Sequence, residues 1–437
     1  MQIATWTRWL ALHGVPRAFL SLQARRGDPL ARILRGADKW RDPYPLMEQL
    51  RQRGPLVRTP FVTVTTDHEL CRTILRDNRF KVTAPSELGL PRPVQALVDR
   101  TDLGLPNPVE PPAMLMVDPP DHTRYRRLVA QSFTPRAIDT LAGRVAEVTA
   151  QLLDGLDSVP QPDLLRDFAA RLPLAVIAEI LGLPDDTHPR LLQWGSTGAP
   201  LLDMGISWAT FRGAVVGLRD ADDFLREHFQ QLRAGERGDN PFSRMATGDE
   251  LTHRELATNA ALLVGAGFET TVNLIGNGIV LLLRHPEQLA LLRDDPDLWD
   301  GAVEEILRFD SPVQMTARTA NSDVTILGHD IAAGEMVAML LGGANRDPVV
   351  FTDPGLFDIT RPNAREHLAF ASGVHACLGA ALARIEGTVA LRALFDRFPD
   401  LSLTAPPRRR GLVNLHGFEH LPAQLGSNRT SAAAGPG

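Results

Sequence analysis

Cysteine is nearly absent from this 437-residue chain: Cys71 and Cys377 stand far apart, and two such thiols build no disulfide framework. Their scarcity agrees with a reducing compartment, so the expected location is the cytoplasm. Lysine is as rare, with Lys39 and Lys81 set against 44 arginines, a bias that with abundant Ala, Gly and Pro reflects a GC-rich genome rather than a site. A net charge of −6 and the lack of any basic arm exclude nucleic acid as an expected partner. The N-terminus has no long apolar run. Met1 to Leu22 is interrupted by Arg8, His13, Pro16 and Arg17, and reads neither as a transmembrane span nor as a signal peptide. An amphipathic, weakly basic helix there is expected to pack on the chain's own body, with a membrane surface as its other use.

Linkers are lacking too. The Pro- and Gly-bearing stretch Pro91 to Pro112 lies between apolar helical patterns and reads as a long loop of the kind that usually carries function. One domain is expected over residues 1–425, with an amphipathic segment at about 1–30 and a disordered tail at 426–437. Asn428 to Thr430 matches a glycosylation acceptor that a cytosolic protein would not use.

Helical periodicity dominates what is present. It predicts helices over Asp67 to Asp77 (with Cys71 as a packed core residue), Asp118 to Phe133, Ala137 to Leu156, Phe168 to Leu181, Phe211 to Leu232 and Leu251 to Arg284. Thr134 and Pro135 read as N-cap and first turn of one of them. Leu56 to Thr65 reads as a short hairpin. Strand alternation returns at Asp323 to Leu327, Glu335 to Leu341 and Leu412 to Leu425. The expected fold class is mainly α with small β-sheets.

Chemistry concentrates in His367 to Glu386. An apolar strand end, a loop with Gly373, then Cys377 precede a helical run, so the sulfur is expected at a helix start, where backbone N–H groups favour its anion. A lone cysteine is more often a small buried hydrophobe. Here Phe370, Gly373, His375, Cys377, Leu378 and Gly379 together resemble the haem-thiolate loop of the cytochrome P-450 family, with Ala371 departing from a position usually held by glycine. The wording of the motifs is most similar to actinobacterial, and among them mycobacterial, members.

Ala266 to Thr271 places an acid and two hydroxyls inside an apolar helix, where Gly267 costs roughly 1 kcal/mol relative to Ala. A solvated face or a glycine-mediated helix contact would explain it equally well. The stretch resembles the family's distal-helix kink, which implies that the helix opens there, that Thr270 is the hydroxyl beside the site of oxygen activation and that Glu269 relays protons through water. Glu305 and Arg308 share a helix face, as many surface pairs do. With Arg361 they resemble the family's buried Glu-x-x-Arg network. His122, Arg126, Arg318 and His375 match its haem-propionate partners. The resemblance spans residues 118–386.

It implies a P-450 fold holding haem b on the Cys377 thiolate, and a monooxygenase that inserts one atom of dioxygen into a hydrophobic lipid, polyketide, steroid or terpene-like substrate. No Gly-x-Gly-x-x-Gly fingerprint occurs. Electrons are therefore expected from a ferredoxin and an NAD(P)H-dependent ferredoxin reductase, docked near Arg124 and Arg127 of a monomer. A peroxide-driven peroxygenase, a haem-thiolate sensor or ligand carrier and, more distantly, a cysteine-nucleophile enzyme are the alternatives. By position, the Ser86–Pro112 loop, Leu201 to Ile206, Ala266 and Val313 to Met315 are expected to line the pocket.

Overall fold

The computed structural model describes residues 2–36, 42–83, 92–130, 133–234, 241–247 and 251–426. The expected tail and its Asn428 lie almost wholly outside them, as does Ser86. The N-terminus forms α1 (Gln2–Trp9), a π turn (Leu10–Gly14) and α2 (Val15–Arg25), followed by α3 (Pro29–Arg35) and α4 (Tyr44–Arg51). The expected hairpin is present as β1 (Val57–Arg58) and β2 (Thr63–Thr65), paired antiparallel. Next come α5 (His68–Arg76), β3 (Phe80–Lys81) and α6 (Arg92–Arg100). The stretch expected as a loop up to Pro112 thus contains a helix. α7 (Asp121–Ala130) starts later than the periodicity predicted, because prolines occupy positions 119 and 120.

Helices carry the chain onward. α8 (Pro135–Leu156) begins as expected, with Thr134 Oγ1 accepting from the Ala137 N–H at 3.4 Å and Pro135 in the first turn. A π turn at Leu165–Ala169 separates α9 (Arg171–Leu181) from the longer helix that periodicity implied. After α10 (His188–Gly198), α11 (Trp208–Arg233) and α12 (Pro241–Thr247) comes α13 (His253–Arg284), 32 residues long. Thr252 and Glu255 close its N-terminus with a reciprocal capping box. By length and composition α13 is able to cross a membrane, yet 78% of its most apolar window is buried inside the fold.

α14 (Pro286–Asp294) and α15 (Trp299–Phe309) lead to β4 (Thr316–Ala320), β5 (Val324–Ile326), β6 (His329–Ile331) and β7 (Met336–Met339), then α16 (Leu341–Ala344) and α17 (Ala380–Arg397). The largest sheet runs β1-β2-β7-β4-β3, with only β2 and β7 parallel. β4 was not predicted: Thr-Ala-Arg-Thr-Ala lacks the bulky alternation that reveals a strand, and pairing on both sides makes it one. The C-terminal β-rich piece holds β10 (Phe418–His420) and β11 (Ala423–Gln424), which pair back to β9 (Arg408–Arg409) and β8 (Ser402–Leu403).

The main core gathers α8, α9, α11, α13, α15 and α17. Gly278 and Gly387 let α13 and α17 approach closely: an added Cβ would meet Leu391 at 2.6 Å in the first case and Leu274 at 3.1 Å in the second. This contact holds the central helix against the helix that follows Cys377.

Candidate active site

Cys377 ends a loop whose shape is fixed by its backbone. The Cys377 N–H donates to the Phe370 carbonyl at 2.9 Å. Ala371 takes φ 56°, so the alanine in a glycine position occupies the left-handed region, at a cost of about 1–2 kcal/mol. Gly373 (φ 73°) lies against α5, where an added Cβ would stand 3.1 Å from Arg76 Cα. At Gly379 such a Cβ would meet nothing within 4 Å, so the backbone there is open to something flat.

The loop is braced from below. Glu304 accepts from His367 Nε2 at 2.9 Å and from Arg384 Nε at 2.7 Å. Burial raises its pKa, but His367 and Arg384 overcome that and hold the carboxyl at about 2. The neighbouring Glu305 is wholly buried and receives Arg308 at 2.6 Å and Arg361 at 3.2 Å. Those arginines also donate to the carbonyls of Asn345, Thr352 and Leu356. The expected three-residue network is therefore present, as a tie between α15 and the chain leading to the cysteine. Cys377 itself opens to solvent on one side. Protein packed around the thiol nevertheless pushes its pKa up, against the Gly379 N–H, Arg126 and Arg384.

His122, Arg126, Arg318 and His375 converge here. The two imidazoles stand 4.3 Å apart between ring centroids. His375 Nε2 lies 3.2 Å from Asp118 Oδ1. Burial, then His375 and Arg126, lowers the His122 pKa to about 4. Burial lowers that of Arg318 to about 10, with Asp118 opposing. Arg318 donates to the Ala317 carbonyl and the Thr316 hydroxyl. Among the described residues neither Arg126 nor Arg318 has an ion pair. Two arginines and two histidines thus face one carboxylate, a collar suited to an anion.

Across α13 the geometry departs from expectation. The helix is α-helical from end to end, with no opening at Gly267. That glycine instead admits Ile177 of α9, which would lie 2.9 Å from a Cβ, so the glycine-mediated helix contact is what the structure shows. Thr270 Oγ1 donates to the Ala266 carbonyl at 3.0 Å. Glu269 is buried and ion-paired to Arg410 Nη1 at 2.5 Å. Thr271 donates to Glu386 of α17, whose carboxyl burial pushes up to about 8. Leu201 and Ile206 pack with Val109 of the loop before Pro112 and with Phe211 in one buried cluster.

Sequence reasoning missed Arg410, Glu386, Glu304, His367 and Arg384. The triplet Arg408 to Arg410 was the available signal. It distributes to Glu419, to Asp310 and to Glu269, so three adjacent cations serve three partners. Arg124 is engaged as well: Glu255 at 2.5 Å, Asp121 at 3.2 Å and the Tyr125 ring at 4.6 Å hold it.

A cysteine loop with an anion-binding collar, crossed by a helix bearing an acid and a hydroxyl, defines a haem-thiolate class of protein. The comparisons agree. The cytochrome P450 family model matches residues 221–410. Cytochrome P450 140 of Mycobacterium tuberculosis is 46% identical over 430 residues, 97% of this chain and 98% of that protein. The 6-deoxyerythronolide B hydroxylase of Saccharopolyspora erythraea is 38% identical, covering 88% and 96%. The crystal structure of P450BioI in complex with hexadec-9Z-enoic acid ligated acyl carrier protein superposes with a TM-score of 0.79 at 37% identity, covering 88% of this chain and 98% of that one. The chain belongs to the cytochrome P450 family, whose enzymes bind haem through a cysteine thiolate. The residues present fit that group: a cationic collar for two carboxylates, open backbone at Gly379 and an accessible sulfur at Cys377.

Proposed function

We propose that this P450 is a cytoplasmic, monomeric monooxygenase acting on an acyl- or polyketide-type hydrophobic substrate, with electrons from a ferredoxin and its reductase. The observation that carries this reading is the cationic collar around Cys377 together with the acid and hydroxyl retained on α13. The substrate class draws support from relatives, one named a polyketide biosynthesis cytochrome P450 and one crystallised with a fatty-acid-ligated acyl carrier protein. A peroxygenase or a ligand carrier would have no use for Glu269 and Thr270.

Haem supplies activation of dioxygen and transfer of one oxygen atom to a C–H bond, the other leaving as water. Cys377 would hold the iron of that group as a thiolate, since a bound metal favours the anion of a thiol that burial pushes toward its neutral form. Arg126, Arg318, His122 and His375 would hold the propionates. Arg318 is buried, so its charge is available to an anionic partner that repays desolvation, and His122, neutral with its pKa at about 4, would offer a ring N–H. Thr270 has one hydroxyl proton, now shared with the Ala266 carbonyl, and releasing that bond lets it donate toward the ligand side. Glu269 relays protons through water once Arg410 swings away from it.

The test measures product, hydrogen peroxide and reductant consumption together. Thr270→Ala is expected to consume reductant with several-fold less product per electron pair. Because Thr271 anchors Glu386, its control substitution is Thr271→Ser, which keeps the hydroxyl and is expected to leave coupling unchanged. Wild-type coupling in Thr270→Ala would remove Thr270 from the proposed role.

A further inference from the structure

Large apolar side chains are exposed most densely at the N-terminus. Ile3 (82% exposed), Trp6, Val15, Phe19 and Leu22 all belong to α1 and α2, and Leu97 of the adjoining α6 is exposed as well. They do not lie on a loose arm. The opposite side of the same helices is packed: Leu12 and Leu20 are buried, and the rings of Trp9 and His13 pack at a tilt against Trp208 and Phe211, with centroids 5.7 and 5.3 Å apart. Trp9 Nε1 donates to the Ile206 carbonyl at 3.0 Å, Arg17 to that of Gly205 at 2.8 Å and Arg8 to that of Val98 at 2.8 Å. Val15, Phe19 and Leu22 follow the i, i+4, i+7 spacing of one helical face, as Ile3 and Trp6 follow i, i+3. The π turn between them slows the chain's rotation and brings both rows toward one side.

Charge separates this region from the rest of the molecule. Residues 2–36 contain six arginines and one carboxylate, Asp28, in a chain of net charge −6; Arg8 is buried and paired with Glu110, which leaves five for the surface. Asp28 is occupied in capping α3 through the Ala31 N–H. Arg25 and Arg26 are exposed at the end of α2. Burial lowers the Arg35 pKa, and Arg17 nearby lowers it further. An apolar helical row bordered by arginines is the pattern of a helix lying in a lipid headgroup layer.

We propose that the outer face of α1, α2 and the Leu97 turn of α6 docks on an anionic lipid surface. The helices beneath it lead inward. α1 and α2 lie on the α10–α11 connection, and α10 crosses α13 where Gly195 leaves no room for a Cβ beside the Phe268 ring, one residue before Glu269. Docking therefore turns this side of the roof over α13 toward the bilayer. The surface stands independently of the oxidative chemistry.

Flotation of the full-length holoprotein tests it, with vesicles of phosphatidylcholine alone and of phosphatidylcholine with phosphatidylglycerol. The protein is expected to float with the anionic vesicles and at least tenfold less with the neutral ones. Trp6→Glu, Phe19→Glu and Leu22→Glu combined are expected to abolish flotation while leaving the haem spectrum unchanged, which shows that the fold survives. Arg25→Glu with Arg26→Glu, a milder surface change, is expected to remove the preference for anionic lipid. Equal flotation of wild type and triple variant, or flotation indifferent to lipid charge, overturns the proposal. So does a concentration-dependent dimer that the triple variant abolishes without any vesicle binding, which would make the face an interface between copies.

Discussion

Glu386 shows what a single buried residue asks of its surroundings. It is 2% exposed, its acceptor is supplied with a proton by Thr271, and burial pushes its pKa up to about 8. Between about pH 4.5 and 8 the unfolded chain releases a proton that the folded chain retains, so stability falls as pH rises through that window. Glu304 and Glu255, both held at about 2, act in the opposite sense and below it: their stabilisation is lost as pH falls from about 4.5 toward 2. Glu386→Gln, which keeps shape and acceptor, is expected to flatten the slope above pH 6. Glu386→Ala leaves the Thr271 hydroxyl without its acceptor, which costs about 1–3 kcal/mol. Urea unfolding of the three proteins at pH 6 and 8.5 checks this, and an unchanged slope in Glu386→Gln would refute it. The sequence placed Thr271 one position from Thr270, but nothing in it announced Glu386 as its partner. Such a pairing joins two helices that only the fold brings together. The same holds for Glu269 and Arg410, 141 residues apart. Cys377 and its loop were legible because their chemistry is written in consecutive residues.

At the scale of elements, long helices were read well and their ends less so. Periodicity measured α8, α11 and α13 nearly to their limits, whereas it ran through the π turn before α9 and missed β4. Spacing also left burial undecided. Glu305 and Arg308 share their i, i+3 separation with Glu69 and Arg72. Burial gives the two pairs different weights. The first pair is wholly buried, and the second is 49% and 46% exposed. Glu305→Ala strands two buried guanidinium groups and is expected to cost about 3–5 kcal/mol, loosening the segment beneath the cysteine loop. Glu69→Ala removes a screened surface contact, worth under about 1 kcal/mol. Equilibrium unfolding of both variants decides the matter. Similar small losses would mean that the buried network is dispensable.

The whole molecule sets the charge that a partner protein meets. The chain is acidic overall, so an acidic ferredoxin can approach only where arginines gather, and the proposed electron path requires such a place near Cys377. From sequence, Arg124 and Arg127 were the expected contacts, because α7 also carries His122 and Arg126. The fold ties Arg124 to Glu255 and stands other cations beside the loop: Arg76, next to Gly373 and without an ion pair among the described residues, and Arg365, whose side chain is 74% exposed while its Nε lies 3.5 Å from Glu304. Val374 projects between loop and solvent at 55% exposure, an apolar contact for a docked partner. Arg76→Glu with Arg365→Glu is therefore expected to slow first-electron transfer from the ferredoxin on the order of tenfold at low salt and to flatten its ionic-strength dependence. Arg124→Ala is the contrasting variant. It should loosen the tie to α13 and lower stability while leaving the salt dependence of reduction as it was. Stopped-flow reduction across a salt series, with haem content matched, measures both. If the double reversal leaves rate and slope untouched while Arg124→Ala changes them, docking centres on α7 and the reading from sequence stands over the one from the fold.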